Sequence, residues 1–101
     1  MSNGRMKATR ILLVEDNAEV RTVTSDRLTE LGYHVINVES GPEAVKALES
    51  GETIDLVFSD IVMAGGMTGY DVAQWVMTNR PGTRIMLASG FADEALRGDF
   101  P

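Results

Sequence analysis

The sequence predicts a single α/β domain built on a parallel sheet. Two observations carry this: short, unbroken β-prone runs alternate with helical patterns four times, and Gly or capping residues punctuate each change. Such a βα repeat closes through right-handed crossovers, and ligand chemistry then gathers beyond the carboxyl ends of the strands.

The elements follow in order. Met1 to Thr9 is polar and featureless and reads as a loose tail, with one domain from Arg10 onward. Ile11-Leu12-Leu13-Val14 has no polar alternation, as expected of a strand covered on both faces, and it runs straight into Glu15-Asp16. Asp16 and Glu19 have capping-box spacing for a first helix, whose apolar stripe is Val20, Val23, Leu28 and Leu31 and whose stop is Gly32. Tyr33 to Val38 is a second, more exposed strand. Ser40-Gly41-Pro42-Glu43 opens a second helix with another capping box and a first-turn proline. Its inward face is Ala44, Val45, Ala47 and Leu48, and Gly51 ends it.

Ile54 to Ser59 is strand three, and it delivers Asp60 to a Gly-rich turn. Helix three follows Thr68-Gly69, turns Val72, Ala73, Trp75 and Val76 inward, and ends at Asn79-Arg80-Pro81-Gly82. Arg84 to Ala88 is strand four, with Met63 and Met86 expected as core filler. Ser89-Gly90-Phe91 and a short helical stretch from Ala92 to Arg97 complete the chain.

Composition excludes several functions. Fifteen acidic against nine basic residues give a net charge of −6, which disfavours a nucleic-acid surface. No cysteine is present for disulfides or thiolate metal sites. No apolar run approaches membrane-spanning length and no signal-peptide core stands at the N-terminus, so a cytoplasmic protein is expected. His34 has no second imidazole at ligand spacing and reads as a surface residue. Gly65-Gly66-Met67-Thr68-Gly69 lacks the lysine of a phosphate-binding loop.

The carboxylates are the chemically informative residues. If strands one and three are neighbours, Glu15, Asp16 and Asp60 converge on one edge. Two like charges 4 Å apart repel by about 4 kcal/mol at an effective dielectric of ~20. Such a cluster protonates or takes up a cation, and hard oxygen donors without His or Cys favour Mg²⁺. An ionised carboxylate is also a nucleophile toward phosphorus without help from a base. Ser89 at the end of strand four could hydrogen-bond a phosphoryl oxygen on Asp60. Taken one at a time, each of these residues is equally well a cap or a turn former.

Together, Ile11-Leu12-Leu13-Val14-Glu15-Asp16-Asn17, Asp60-Ile61-Val62-Met63 with Gly69, and Leu87-Ala88-Ser89-Gly90-Phe91 resemble the receiver domain of two-component response regulators. The spacing of the Gly-rich turn is similar to receivers of hybrid histidine kinases and their stand-alone relatives. The resemblance implies a flavodoxin-like, doubly wound sheet of order 2-1-3-4. It implies that Asp60 accepts a phosphoryl group from a histidine kinase or histidine phosphotransfer protein. Mg²⁺ would be held by Glu15, Asp16, Asp60 and the backbone carbonyl of Val62, and Ser89 would be the switch hydroxyl.

Two departures stand against the pattern. Ala64 replaces the usual proline four residues after the acceptor. The lysines are Lys7 and Lys46, so the family's lysine at the end of a fifth strand has no counterpart. The chain therefore reads as a receiver without its last strand and helix, for which an open strand-four edge implies a homodimer or an element-swapped dimer, or low stability. Two other functions compete: a pseudo-receiver that binds partners without phosphorylation, and an aspartyl-phosphate phosphatase. Val62 stands where the phosphatase would need a second Asp.

Overall fold

The computed structural model describes residues 8–63 and 66–88 of the chain. The expected tail up to residue 7, Ala64, Gly65, Ser89 and the helical stretch from Ala92 to Arg97 lie outside the described residues. The elements are β1 (Arg10–Val14), α1 (Ala18–Glu30), β2 (His34–Val38), α2 (Gly41–Glu49), β3 (Leu56–Asp60), α3 (Gly69–Asn79) and β4 (Arg84–Ala88). All pairings are parallel, and the sheet order is β2-β1-β3-β4. This is the predicted order, with β4 at its predicted bounds and β3 displaced toward Asp60.

Alternation along the strands divides the sheet into two faces. Leu12 and Val14, with Val57 beside them in register, form the floor of the core with Ile36, Val38 and Ile85 around them. Ala44 and Leu48 from α2 and Val72 and Val76 from α3 close over that floor, and all four are fully or almost fully buried. Trp75 packs against the margin of this cluster, as its position on the helix predicts. Ile11 and Leu13 point the other way and are buried too, which accounts for the uninterrupted apolar run of β1.

Among the described residues, that second face is thinly covered. α1 lies on it against β1 and β2, with Asn37 Nδ2 donating to Ser25 Oγ at 3.2 Å. Yet α1 buries none of its residues. Val23 is 59% exposed and Leu31, the C-cap, 73%. The expected stripe exists in the sequence, but only Val20 and Leu28 are half-buried. Met86 likewise is not core filler: it shares this face with Phe58 and stays 53% exposed, whereas Met63 is buried as expected.

The caps refine the helix starts. Asn17, not Asp16, caps α1: its Oδ1 accepts the Val20 N–H at 3.0 Å, while its own N–H donates to Glu15 Oε2 at 3.0 Å. At α2, Ser40 accepts from the Glu43 N–H, but the returning Glu43 carboxylate bonds the Glu39 N–H instead of that of Ser40. The full reciprocal box occurs at α3, between Thr68 and Asp71. Gly32 takes a φ of +100°, and the Tyr33 and Gly32 N–H groups bond the Leu28 and Thr29 carbonyls in a Schellman stop.

Candidate functional site

The register places the candidate carboxylates. Val14 pairs with Ser59, so Glu15 and Asp60 are the next residues out at the C-terminal ends of two adjacent parallel strands. Glu15 N–H still bonds the Val38 carbonyl and Ile61 N–H the Ala88 carbonyl, each at 3.1 Å, so the backbone is held one step past each strand. Oxygen atoms of Glu15, Asp16 and Asp60 all lie within 4.8 Å of one another. The convergence expected from strand adjacency is therefore real.

The opposite end of β3 shows what an acid does when it is structural. Asp55 Oδ2 accepts the Arg10 N–H at 2.8 Å, and Arg10 also pairs with Glu52 and bonds the Thr53 carbonyl. Its charge is spent on holding strand ends together. Asp60 differs, because the acids Glu15 and Asp16 have oxygens within 4.8 Å of its own.

Electrostatics follow from that crowding. Burial raises the Glu15 carboxyl above its ordinary value, the charges of Asp60 and Asp16 add to the rise, and the Asn17 N–H opposes it. Asp60 is also raised, again chiefly by burial and further by Asp16; the Ile61 N–H and the Glu15 carboxyl work against the rise. Each carboxyl thus sits half out of water beside like charge, a situation that a cation relieves. Three hard oxygen donors with neither imidazole nor thiolate suit Mg²⁺ in particular.

Two fastenings orient the carboxylates. Ile61 N–H donates to Asp60 Oδ1 at 3.1 Å. Arg21 Nη1, from α1, donates to the Glu15 carbonyl at 2.8 Å and ties the β1–α1 turn to the helix. Val62 has an exposed side chain directly beyond this point. Ser89, the predicted switch hydroxyl, lies outside the described residues, immediately after β4.

Sequence reasoning missed Arg21, which looks like any surface arginine in a first helix. It used Gly69 only as part of a spacing. In the fold Gly69 is buried and its N–H donates to the Ile61 carbonyl at 2.7 Å. The T-x-x-D pattern of Thr68 to Asp71 was the available signal that a helix begins there.

The response regulator receiver domain family matches residues 11–100. The chain belongs to that family. It is 37% identical over 90 residues to the response regulator receiver protein CpdR of Brucella abortus, covering 89% of this chain and 73% of CpdR. It is 34% identical over 92 residues to the sensor kinase CckA of the same organism, covering 90% of this chain but only 10% of CckA. Among solved structures, the response regulator TrrA of Thermotoga maritima in complex with Mg²⁺-BeF is 34% identical, with a TM-score of 0.76 over 91% of this chain and 76% of that one. TrrA in complex with the histidine kinase ThkA matches 83% of this chain and 71% of that one, again at 34% identity, with a TM-score of 0.75. This receiver is a module of two-component signalling, and its solved neighbours are response regulator receivers. No described helix is long and apolar enough to cross a membrane.

Proposed function

We propose that this receiver accepts a phosphoryl group on Asp60 from a phosphohistidine and signals through the resulting change at its surface. The observation that carries the proposal is the junction of Glu15, Asp16 and Asp60 at the C-terminal ends of adjacent strands. In the step itself a carboxylate oxygen of Asp60 attacks phosphorus. The new O–P bond forms as the P–N bond breaks, and its electron pair leaves on the imidazole nitrogen. A carboxylate attacks phosphorus without a general base, and Ile61 N–H keeps that of Asp60 oriented.

The donor set fits Mg²⁺, with Glu15, Asp16, Asp60 and the Val62 carbonyl as its protein ligands. When bound, the ion supplies positive charge against the phosphoryl oxygens. The Mg²⁺-BeF complex of TrrA supports this reading, since beryllium fluoride is a tetrahedral stand-in for a phosphoryl group. The ThkA complex supports a histidine kinase, or a histidine phosphotransfer protein, as the donor. Ser89 is the proposed hydroxyl that turns toward the new phosphoryl oxygens, drawn by the −1.5 to −2 charge that a phosphoryl group brings. On this reading the protein is a cytoplasmic phosphoacceptor rather than a turnover enzyme.

Incubation with acetyl phosphate and Mg²⁺, followed by intact mass, tests this. One added phosphoryl group that disappears in Asp60→Ala is the expected result. Continuous phosphate release over many turnovers would make it a phosphatase. A chain that stays unmodified, yet still binds a partner, would be an interaction module that does not use Asp60 as an acceptor.

A further inference from the structure

We infer that Gly69 is a positioning residue for the acceptor: it seats the first turn of α3 against the backbone of Asp60 and Ile61 and so sets the direction of the Asp60 carboxylate. The inference rests on the reading of Asp60 as acceptor. Its structural basis is independent of the acidic cluster.

Three contacts make the chain of action. Gly69 N–H donates to the Ile61 carbonyl at 2.7 Å. On the other side of the same residue, Ile61 N–H is shared between Asp60 Oδ1 and the Ala88 carbonyl, each at 3.1 Å. Ile61 is therefore held at its carbonyl by α3 and at its N–H by both Asp60 and β4. A rotation of its peptide planes must turn the Asp60 carboxylate or break one of these bonds.

The space around Gly69 makes the position exacting. A Cβ there would stand 2.9 Å from Ile61 Cα and 3.0 Å from the Asp60 carbonyl carbon, and closer still to the Asp60 carbonyl oxygen. All three atoms are backbone, so no side chain can swing away to make room. Gly66 and Gly51, by contrast, have nothing within 4 Å of a Cβ and are glycine because of positive φ. Gly69 has no such conformational need; close approach alone accounts for it. The reciprocal Thr68–Asp71 cap fixes this turn of α3 where it touches the acceptor strand.

The test uses the full-length protein and three variants. Gly69→Ala should label from acetyl phosphate and Mg²⁺ at least tenfold more slowly than wild type, with faster hydrogen exchange at the Ile61 amide. Thr68→Ala loosens the same turn without adding an atom, and it should slow labelling two- to fivefold with a smaller rise in Ile61 exchange. Val76→Ala weakens α3 from its buried face, away from the acceptor, and should label within twofold of wild type. Labelling by Gly69→Ala within twofold of wild type, with Ile61 exchange unchanged, overturns the inference. So does a Val76→Ala rate as slow as that of Gly69→Ala, which would reduce the effect to lost stability. If Gly69→Ala does not fold, an unchanged rate and exchange in Thr68→Ala overturns it instead. If wild type takes no label, the acceptor reading itself falls. The Ile61 exchange rates of the three variants then still decide whether Gly69 governs this backbone.

Discussion

Glu15 and Asp60 stand side by side because Val14 and Ser59 are register partners: each carboxylate belongs to the residue that follows that pair. The two backbones cannot move apart without unpairing the sheet, since Glu15 N–H and Ile61 N–H remain bonded to Val38 and Ala88. The repulsion is built into the topology.

Removing one charge should therefore stabilise the metal-free protein, and the gain should depend on pH. Both carboxyls are raised, so their contribution to folding is fully present below the ordinary carboxylate range and is lost as pH rises through the raised values. Asp60→Asn should match wild type in melting temperature near pH ~4. By pH ~7 it should be ahead by about 0.5 kcal/mol after allowance for solvent screening. Thermal melts in chelator at both pH values check this, and a wild-type advantage at neutral pH would contradict the built-in repulsion.

Mg²⁺ should reverse that pattern. Protons compete for the raised carboxyls, so the metal should raise the melting temperature more at neutral pH than at pH ~5. The stabilisation should grow with concentration as a single-site linkage, reaching about 2.7 kcal/mol at a hundredfold excess over Kd. Glu15→Gln and Asp60→Asn should each blunt it. A Mg²⁺ shift that is the same at both pH values, or that survives Asp60→Asn, would place the ion elsewhere.

Core substitutions should separate the two faces of the sheet. Leu48→Ala opens the buried cluster under α2 and should cost about 2–5 kcal/mol. Val23→Ser on α1 should change stability by no more than about 0.5 kcal/mol, because its side chain is mostly in solvent. Denaturant titrations of the two variants measure the contrast; a costly Val23→Ser would mean that α1 is covered after all.

That contrast also shows what was legible beforehand. The elements and the β4 bounds followed from apolar runs and their punctuation, because both are properties of the chain itself; the strand order, and with it the meeting of Glu15, Asp16 and Asp60, came from the resemblance to receivers. Whether a stripe is buried is not. Val20, Val23, Leu28 and Leu31 have helical spacing, and Met86 sits in a β-prone run, but burial depends on what lies over the face. The α1 cap was misassigned for a related reason. Asp16 and Asn17 are both good caps; Asp16 belongs to the acidic cluster, and Asn17 takes the Val20 N–H. Competition between neighbours for one role is decided by the strand register, which no local pattern contains.

Arg21 offers a final test of how the site is held. Its guanidinium donates to the Glu15 carbonyl from a helix with no fully buried residue, so it fastens the turn carrying Glu15 and Asp16 to α1. A charged hydrogen bond of this kind contributes about 1.5–3 kcal/mol in favourable settings, and less where water reaches it. Arg21→Ala should weaken Mg²⁺ binding roughly three- to tenfold, corresponding to about 0.7–1.4 kcal/mol. Arg21→Lys keeps the charge near the cluster but presents a single ammonium on a flexible stem, so it should recover only part of the loss. Calorimetric titration of Mg²⁺ into both variants distinguishes the causes. Full recovery by lysine would mean that Arg21 acts by charge alone, and no loss in Arg21→Ala would mean that the turn holds its shape without it.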